Sequence, residues 1–280
     1  MSNNKTLHLH SKTTICTNRV ESKLNLANDG FSDCDIFSLD RCLDDIWRWA
    51  DKFNIPVEKV PRERDALMAI TTLSLDWYDD ITELPESLGI LAKLNELCLG
   101  GCCSLTSLPE SLGKLNRLTY LDLSNCYELS MLPESLENLS QLTVLSLEGC
   151  ESLAVLPESL GQLKNLNELY LCYSDMFTVL PESLGQLNQL TLLNISRCAN
   201  LEVLPETIGN LSRLTTLDLD LCINLTTLPK SLGNLNQLTT LKLYNCKNLI
   251  TLPASLRKLP NLTILGADHL PYDDEYELWM

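Results

Sequence analysis

The amino-acid sequence predicts an α/β solenoid: a horseshoe with a parallel β-sheet on its concave face, short 3₁₀ or extended segments on its convex face, and a helical cap at its N-terminal end. Three observations predict it. Pro85, Pro109, Pro133, Pro157, Pro181, Pro205, Pro229 and Pro253 recur every 24 residues without a slip, and a fixed period of this kind marks a chain that extends its core by stacking units. Inside each unit leucines alternate with outward residues, as Leu121 and Leu123 do with Tyr120, Asp122 and Ser124, which is the period of a strand with one buried face. Ahead of the first unit, Leu39, Cys42, Leu43, Ile46, Trp47, Ala50 and Phe53 fall at helical spacing, a stripe able to cover the open end of a stack.

Residues 1–33 are polar and unpatterned and are predicted to be disordered. Residues 34–69 form the predicted cap, with a helix over 38–53 in which Ser38 is the N-cap and Pro56 marks the end. The stripe places Trp47 and Phe53 against Ile70, Leu73 and Leu75 and leaves Trp49 at least partly exposed, while Ile55, Val57 and Val60 continue the apolar seam. Residues 70–265 hold nine copies, the last incomplete, beginning at Ile70, Leu94, Leu118, Leu142, Leu166, Leu190, Leu214, Leu238 and Leu262. The unit reads LxxLxLxxCxxLxxLPxxLGxLxx. Its proline suits an extended lead-in or a first helical position, and 24 residues leave room for 3₁₀ turns but not for long helices. Gly89, Gly113, Gly161, Gly185, Gly209 and Gly233 mark a reversal or a close approach, and Glu137 fills that slot once. Residues 266–280 depart from the pattern as an acidic tail that either folds back as a C-terminal cap or hangs free.

Charge and cysteine usage narrow the function classes. The chain carries 21 basic and 37 acidic residues, a net charge of -16. Residues 69–280 hold 11 basic against 26 acidic side chains, so the repeats are the acidic part. Such an array repels phosphates and excludes non-specific nucleic-acid binding, whereas a basic partner is steered toward it. Cys102, Cys126, Cys150, Cys198, Cys222 and Cys246 share one phase, with Ser174 in the same slot. They read as small residues filling a turn interior, free to meet backbone groups, and unpaired thiols fit a reducing compartment. The histidines, His8, His10 and His269, form no cluster with cysteines, so no metal site and no cofactor are predicted. Neither a signal peptide nor a membrane span is predicted; the expectation is a soluble intracellular monomer, with delivery into a host cell by a route that reads no cleaved signal as the alternative.

Function is sought at the outward strand positions, because the inward ones are committed to packing. Three columns face the concave side, with Tyr120, Val144, Glu168, Leu192 and Ile264 in the first, Asp122, Tyr170 and Asp218 in the second, and Glu148, Cys172 and Asp220 in the third. Tyr120, Val144, Tyr170, Leu192 and the adjoining Tyr173 form an apolar and aromatic centre, surrounded by Glu96, Asp122, Glu148, Glu168, Asp218 and Asp220. That is the layout of a binding hot spot with a polar rim. The row Glu86, Glu110, Glu134, Glu158, Glu182 and Glu206 follows the repeat too regularly to encode one partner and reads as a solvated convex face. Cys98 and Cys172 are expected on the exposed strand face, but neither has a general base in sequence reach, so no catalytic residue is assigned.

The unit LPxSLGxLxxLxxLxLxxC resembles leucine-rich-repeat proteins over roughly residues 70–265, with wording similar to the intracellular repeats of plant immune receptors and of many bacterial proteins. Trp47, Trp49 and Ala50 followed by Ile55-Pro56 and Pro61-Arg62 resemble the segment that precedes such repeats in the bacterial group. The resemblance implies a non-enzymatic module, bacterial and cytosolic or an effector of an intracellular pathogen, that binds a host protein through its concave surface. The chain lacks the GxxxxGK[ST] loop of the plant receptors. The alternative is a structural or decoy repeat protein whose charge gives only weak, salt-sensitive contacts.

Overall fold

The computed structural model describes residues 33–276, with side chains from 38 to 274; the prediction of disorder for residues 1–32, and the tail residues Glu277, Leu278 and Trp279, lie outside them. By backbone contacts the chain divides at residue 41, within helix α1 (Asp33–Lys52), and the packing that follows is that of the second unit, residues 42–280. The helix begins five residues before Ser38, which lies inside it and is not its N-cap.

Leu43, Ile46, Ala50 and Phe53 are buried as the stripe requires, but the two tryptophans exchange roles. Trp49 is 6% exposed and Trp47 is only half-buried. Both lie about 80° from the centre of the apolar face on a helix that turns about 100° per residue, so periodicity does not separate them. What separates them is which edge meets the first repeat. Trp49 packs edge-to-face on Phe53 at 6.1 Å and its indole N–H donates to the Glu83 carbonyl at 2.7 Å, whereas Trp47 donates to the Pro61 carbonyl at 2.9 Å on the opposite edge. A short helix, α2 (Arg64–Leu67), then leads into the stack.

Nine strands follow: β1 (Thr72–Ser74), β2 (Glu96–Cys98), β3 (Tyr120–Asp122), β4 (Val144–Ser146), β5 (Glu168–Tyr170), β6 (Leu192–Asn194), β7 (Thr216–Asp218), β8 (Thr240–Lys242) and β9 (Thr263–Leu265). They pair in chain order as one parallel sheet, with a 24-residue register through β8, as in Leu121↔Leu145. The inward leucines from Leu97 to Leu217 are fully buried. After each strand the cysteine column turns into the core, and each thiol donates to a carbonyl of the preceding repeat: Cys102 to Leu75, Cys126 to Leu99, Cys150 to Leu123, Cys198 to Leu171, Cys222 to Ile195 and Cys246 to Leu219, at 3.1–3.3 Å. The column is therefore a ladder of sulfur donors that fastens each unit to the one before it.

Ser174 is the gap in that ladder. It is fully buried, and its hydroxyl, on a C–O bond shorter than C–S, has no partner among the described residues. Ser174→Cys is expected to restore the missing rung toward Leu147 and to raise stability by about 1 kcal/mol, since it removes an unsatisfied buried hydroxyl and adds a donor. A urea-unfolding midpoint that stays the same or falls would refute this.

The convex side consists of 3₁₀ turns such as Glu86–Ile90, Glu110–Lys114 and Glu134–Asn138, each led in by the repeat proline in extended backbone, with Pro133 at φ -70 and ψ 146. Consecutive turns nest closely. A Cβ on Gly89 would lie 2.6 Å from the Ser111 carbonyl oxygen of the next unit, which accounts for the glycine column as a close approach. The last unit has no following turn, and there Arg257 fills the glycine slot. The glutamate row is not simply solvated: Glu86 accepts from the backbone N–H of Ser111 at 3.1 Å, Glu110 from that of Ser135 at 3.2 Å and Glu158 from that of Ser183 at 3.1 Å.

The final strand slips by one residue, so that Thr240 pairs with Thr263 and Leu241 with Ile264. Ile264 thus leaves the concave column assigned to it, because a one-residue slip moves side chains to the other face. Pro260 is the cause. In earlier units this position donates an N–H two residues back, as Asn236 does to Asn234 at 2.9 Å. Proline has no N–H and drives the preceding residue extended, and Leu259 is at φ -90, ψ 105 where Leu235 is at φ -77, ψ 69. The tail folds back on this end: Leu252 bridges Tyr272, the Asp273 carboxylate accepts from the Ala254 N–H at 2.8 Å, and Arg257 pairs with Asp274 while its guanidinium lies 4.1 Å from the Tyr272 ring centroid.

Candidate protein-binding surface

Six of the residues singled out from sequence come together. Tyr120, Asp122, Val144, Glu148, Glu168 and Tyr170 line one concavity of about 410 Å³ on β3, β4 and β5, along with Ser124, Asn125 and Ser146. Val144 and Ser146 form its floor, since they lie on the strand between those of Tyr120 and Tyr170. Glu96 and Leu192 flank it on β2 and β6.

The polar groups are held in place by the strands themselves. The Tyr170 hydroxyl donates to Glu168 at 2.7 Å; burial, followed by this carboxylate, pushes its pKa up to about 12. Burial, followed by Asp122, also raises that of Tyr120. Both rings therefore present neutral hydroxyls at neutral pH. The Asp122 carboxylate accepts from the Ser124 N–H at 2.9 Å, as Asn194 does from Ser196 and Asp218 from Asp220. A side-chain oxygen of the last strand residue thus accepts from the backbone two residues on at the ends of β3, β6 and β7.

The C-terminal part of the predicted rim differs. Asp218 is 9% exposed and accepts from the Lys242 ammonium at 2.8 Å, so its charge is already countered. Asp220 accepts from the Tyr244 N–H at 2.8 Å, and burial raises its pKa. These two brace the sheet more than they rim the concavity. Tyr173 also lies outside it, on the turn after β5, where the Arg197 guanidinium sits 4.8 Å from its ring centroid.

Tyr173 belongs to a column missed in the sequence. Trp77, Gly101, Asn125, Gly149, Tyr173, Arg197, Leu221 and Asn245 recur every 24 residues with φ between 56 and 75, the left-handed region that costs most residues roughly 1–2 kcal/mol. Glycine or asparagine at Gly101, Asn125, Gly149 and Asn245 was the signal that could have revealed it. Bulky residues at the other sites therefore project from a fixed, unfavourable backbone along one rim of the strand face.

The two thiols on the strand face lie where burial raises their pKa values. Cys172 is buried rather than exposed, because its column is recessed where Ser124, Glu148 and Ser196 are also half-buried and its own side chain is short. Burial, followed by Glu148, pushes its pKa up to about 12, and burial, followed by Asp76 and Asp122, pushes that of the half-buried Cys98 up to about 11. A nucleophilic cysteine needs the opposite shift. Among the described residues no group of three or more His, Cys, Asp or Glu could hold a metal ion, and no helix is long and apolar enough to cross a membrane.

Residues 144–277 match the family model described as a leucine-rich repeat region, and residues 117–139 match the single leucine-rich repeat. No curated protein matches the chain. Among solved structures, the leucine-rich repeat domain of the type III effector XopL is 25% identical with a TM-score of 0.60, the alignment covering 83% of this chain and 95% of that one. Internalin C2 from Listeria monocytogenes strain 4b F2365 is 22% identical with a TM-score of 0.56, covering 76% of this chain and 91% of that one, a likeness of fold alone.

Proposed function

Because this chain is a leucine-rich-repeat protein of the bacterial type, similar to effector proteins, we propose that it is a monomeric interaction module that takes a basic surface of a host protein on its concave strand face. The observation that carries this reading is the concavity on β3, β4 and β5 in which two tyrosines and Val144 lie among three carboxylates. Aromatic residues at the centre of a polar rim are the usual source of binding energy, and the acidic repeats steer cationic partners to it. The repeat fold is typical of protein-protein interaction modules. The likeness to the XopL repeat domain over nearly its whole length supports the assignment of the partner to a host cell, and with it delivery of this protein into that cell.

Recovery of partners from host and bacterial lysates tests the proposal, with wild type set against the triple variant Tyr120→Ala, Tyr170→Ala, Glu148→Ala. A host protein retained by wild type at about 200 mM salt and lost from the variant is expected. Equal recovery of the same partner by both forms refutes the concave-centre reading. Loss of every association between about 50 and 200 mM salt favours the structural or decoy alternative.

A further inference from the structure

A second surface lies on the flank that leads from the cysteine turn into the 3₁₀ turn. Met131, Val155, Val179 and Val203 occupy one slot in four consecutive repeats and are 62%, 72%, 61% and 42% exposed. Packing does not require aliphatic residues there, because Glu83, Ser107, Thr227 and Thr251 fill the same slot in the other units. Four adjacent exposed aliphatic side chains, chosen where polar ones serve the fold equally well, are a contiguous apolar patch of the kind that marks a docking site.

The surroundings identify what docks. The segments carrying the stripe, residues 127–139, 151–163, 175–187 and 199–211, hold nine acidic residues and no lysine or arginine. A second copy of this chain is a poor occupant, since its repeats are themselves acidic, with 26 acidic against 11 basic side chains over residues 69–280. Spacing then selects the conformation of the partner. The strands of these four units pair in 24-residue register, and at the last junction of the stripe the Glu202 N–H donates to Thr178 O at 3.3 Å, so adjacent stripe residues stand at roughly the 4.8 Å of paired strands. Same-face residues of a helix recur on average every ~5.4 Å and those of a strand every ~6.7 Å. Three steps along the stripe span ~14 Å, against ~16 Å for a helix and ~20 Å for a strand. A helix spends its backbone groups on its own hydrogen bonds, so side chains carry the contact.

We propose that this flank seats a short basic amphipathic helix of a partner protein, its apolar stripe on Met131, Val155, Val179 and Val203 and its lysines or arginines toward the surrounding carboxylates. This site is separate from the concave centre and does not depend on it.

The test is fluorescence anisotropy with the full chain at about 150 mM salt. The probes are two labelled helical peptides of one composition, lysine, alanine and four leucines. In one the leucines stand at i, i+3, i+7 and i+10; in the other they are spread around the helix. The patterned peptide is expected to bind at least about tenfold more tightly. Val155→Thr with Val179→Thr, residues already present in this slot at Thr227 and Thr251, is expected to abolish that preference with an unchanged melting temperature. Tyr120→Ala with Tyr170→Ala is expected to retain it. Equal affinity for the two peptides overturns the proposal, as does a preference that survives the threonine pair or is lost with the tyrosine pair. Concentration-dependent dimerisation that disappears with the threonine pair also overturns it, by making a second copy the occupant.

Discussion

Raising the pH from 8 to 10 is expected to unfold the repeat array, because the cysteine ladder must stay protonated. Burial pushes the thiols of Cys102, Cys150 and Cys198 up to about 12 and that of Cys246 up to about 11, and it raises Cys126 and Cys222 further still. In the unfolded chain a thiol ionises near ~8.5. Below that value both states hold their protons and the contribution of the ladder is intact. Above it the unfolded chain releases protons that the native state keeps, so stability falls with pH by about 1.4 kcal/mol per unit for each thiol. Six thiols together lose ~8 kcal/mol per unit, comparable with the ~5–15 kcal/mol of a whole domain. Urea midpoints followed by circular dichroism from pH 7.5 to 10.5, in the presence of a thiol reductant, should fall steeply above pH ~8.5. Replacing Cys126, Cys150 and Cys222 by alanine lowers stability at neutral pH but should cut that slope by roughly a third, because three protons no longer differ between states while those of the other ladder thiols and of Cys98 and Cys172 still do. A wild-type midpoint that does not change above pH ~9, or a slope the alanines leave untouched, would show that the ladder is not what titrates.

The prolines, leucines and cysteines were legible in the sequence because each column is fixed by packing that repeats identically in every unit. What escaped depended on where one unit meets something different. Pro260 stands where the other units carry a residue whose N–H donates two residues back, and its effect on the register of β9 follows from that one substitution. The ion pair of Lys242 with Asp218 joins two residues of one outward column, 24 apart, and only their registration as neighbours makes it visible. The concavity was legible as a set of residues, since six outward positions on three neighbouring strands converge by register alone. Its depth was not, because it depends on how far each column is recessed, as the burial of Cys172 shows. The aliphatic stripe was hidden by lying between framework positions, where single exposed valines look ordinary.

The N-terminal end gives the second large effect. Trp49→Ala is expected to cost about 3–5 kcal/mol, the range for truncating a buried aromatic, whereas Trp47→Ala, at a half-buried ring, should cost clearly less. Helical periodicity does not separate the two tryptophans, so the comparison tests the packing of this helix directly. Trp49 closes the first unit by two routes, its ring against Phe53 and its indole N–H on the Glu83 carbonyl at 2.7 Å. Removing it takes away a buried ring packed on Phe53 and leaves that carbonyl without its donor. Units in a repeat array are coupled chiefly to their neighbours, so the loss should first appear as fraying from one end. Hydrogen exchange should quicken across residues 43–100 in the Trp49 variant while β5 to β8 keep their protection. Uniform acceleration along the whole sheet would mean that the array unfolds as a single unit, and a greater loss from Trp47→Ala would reverse the assignment of which edge of the helix seals the stack.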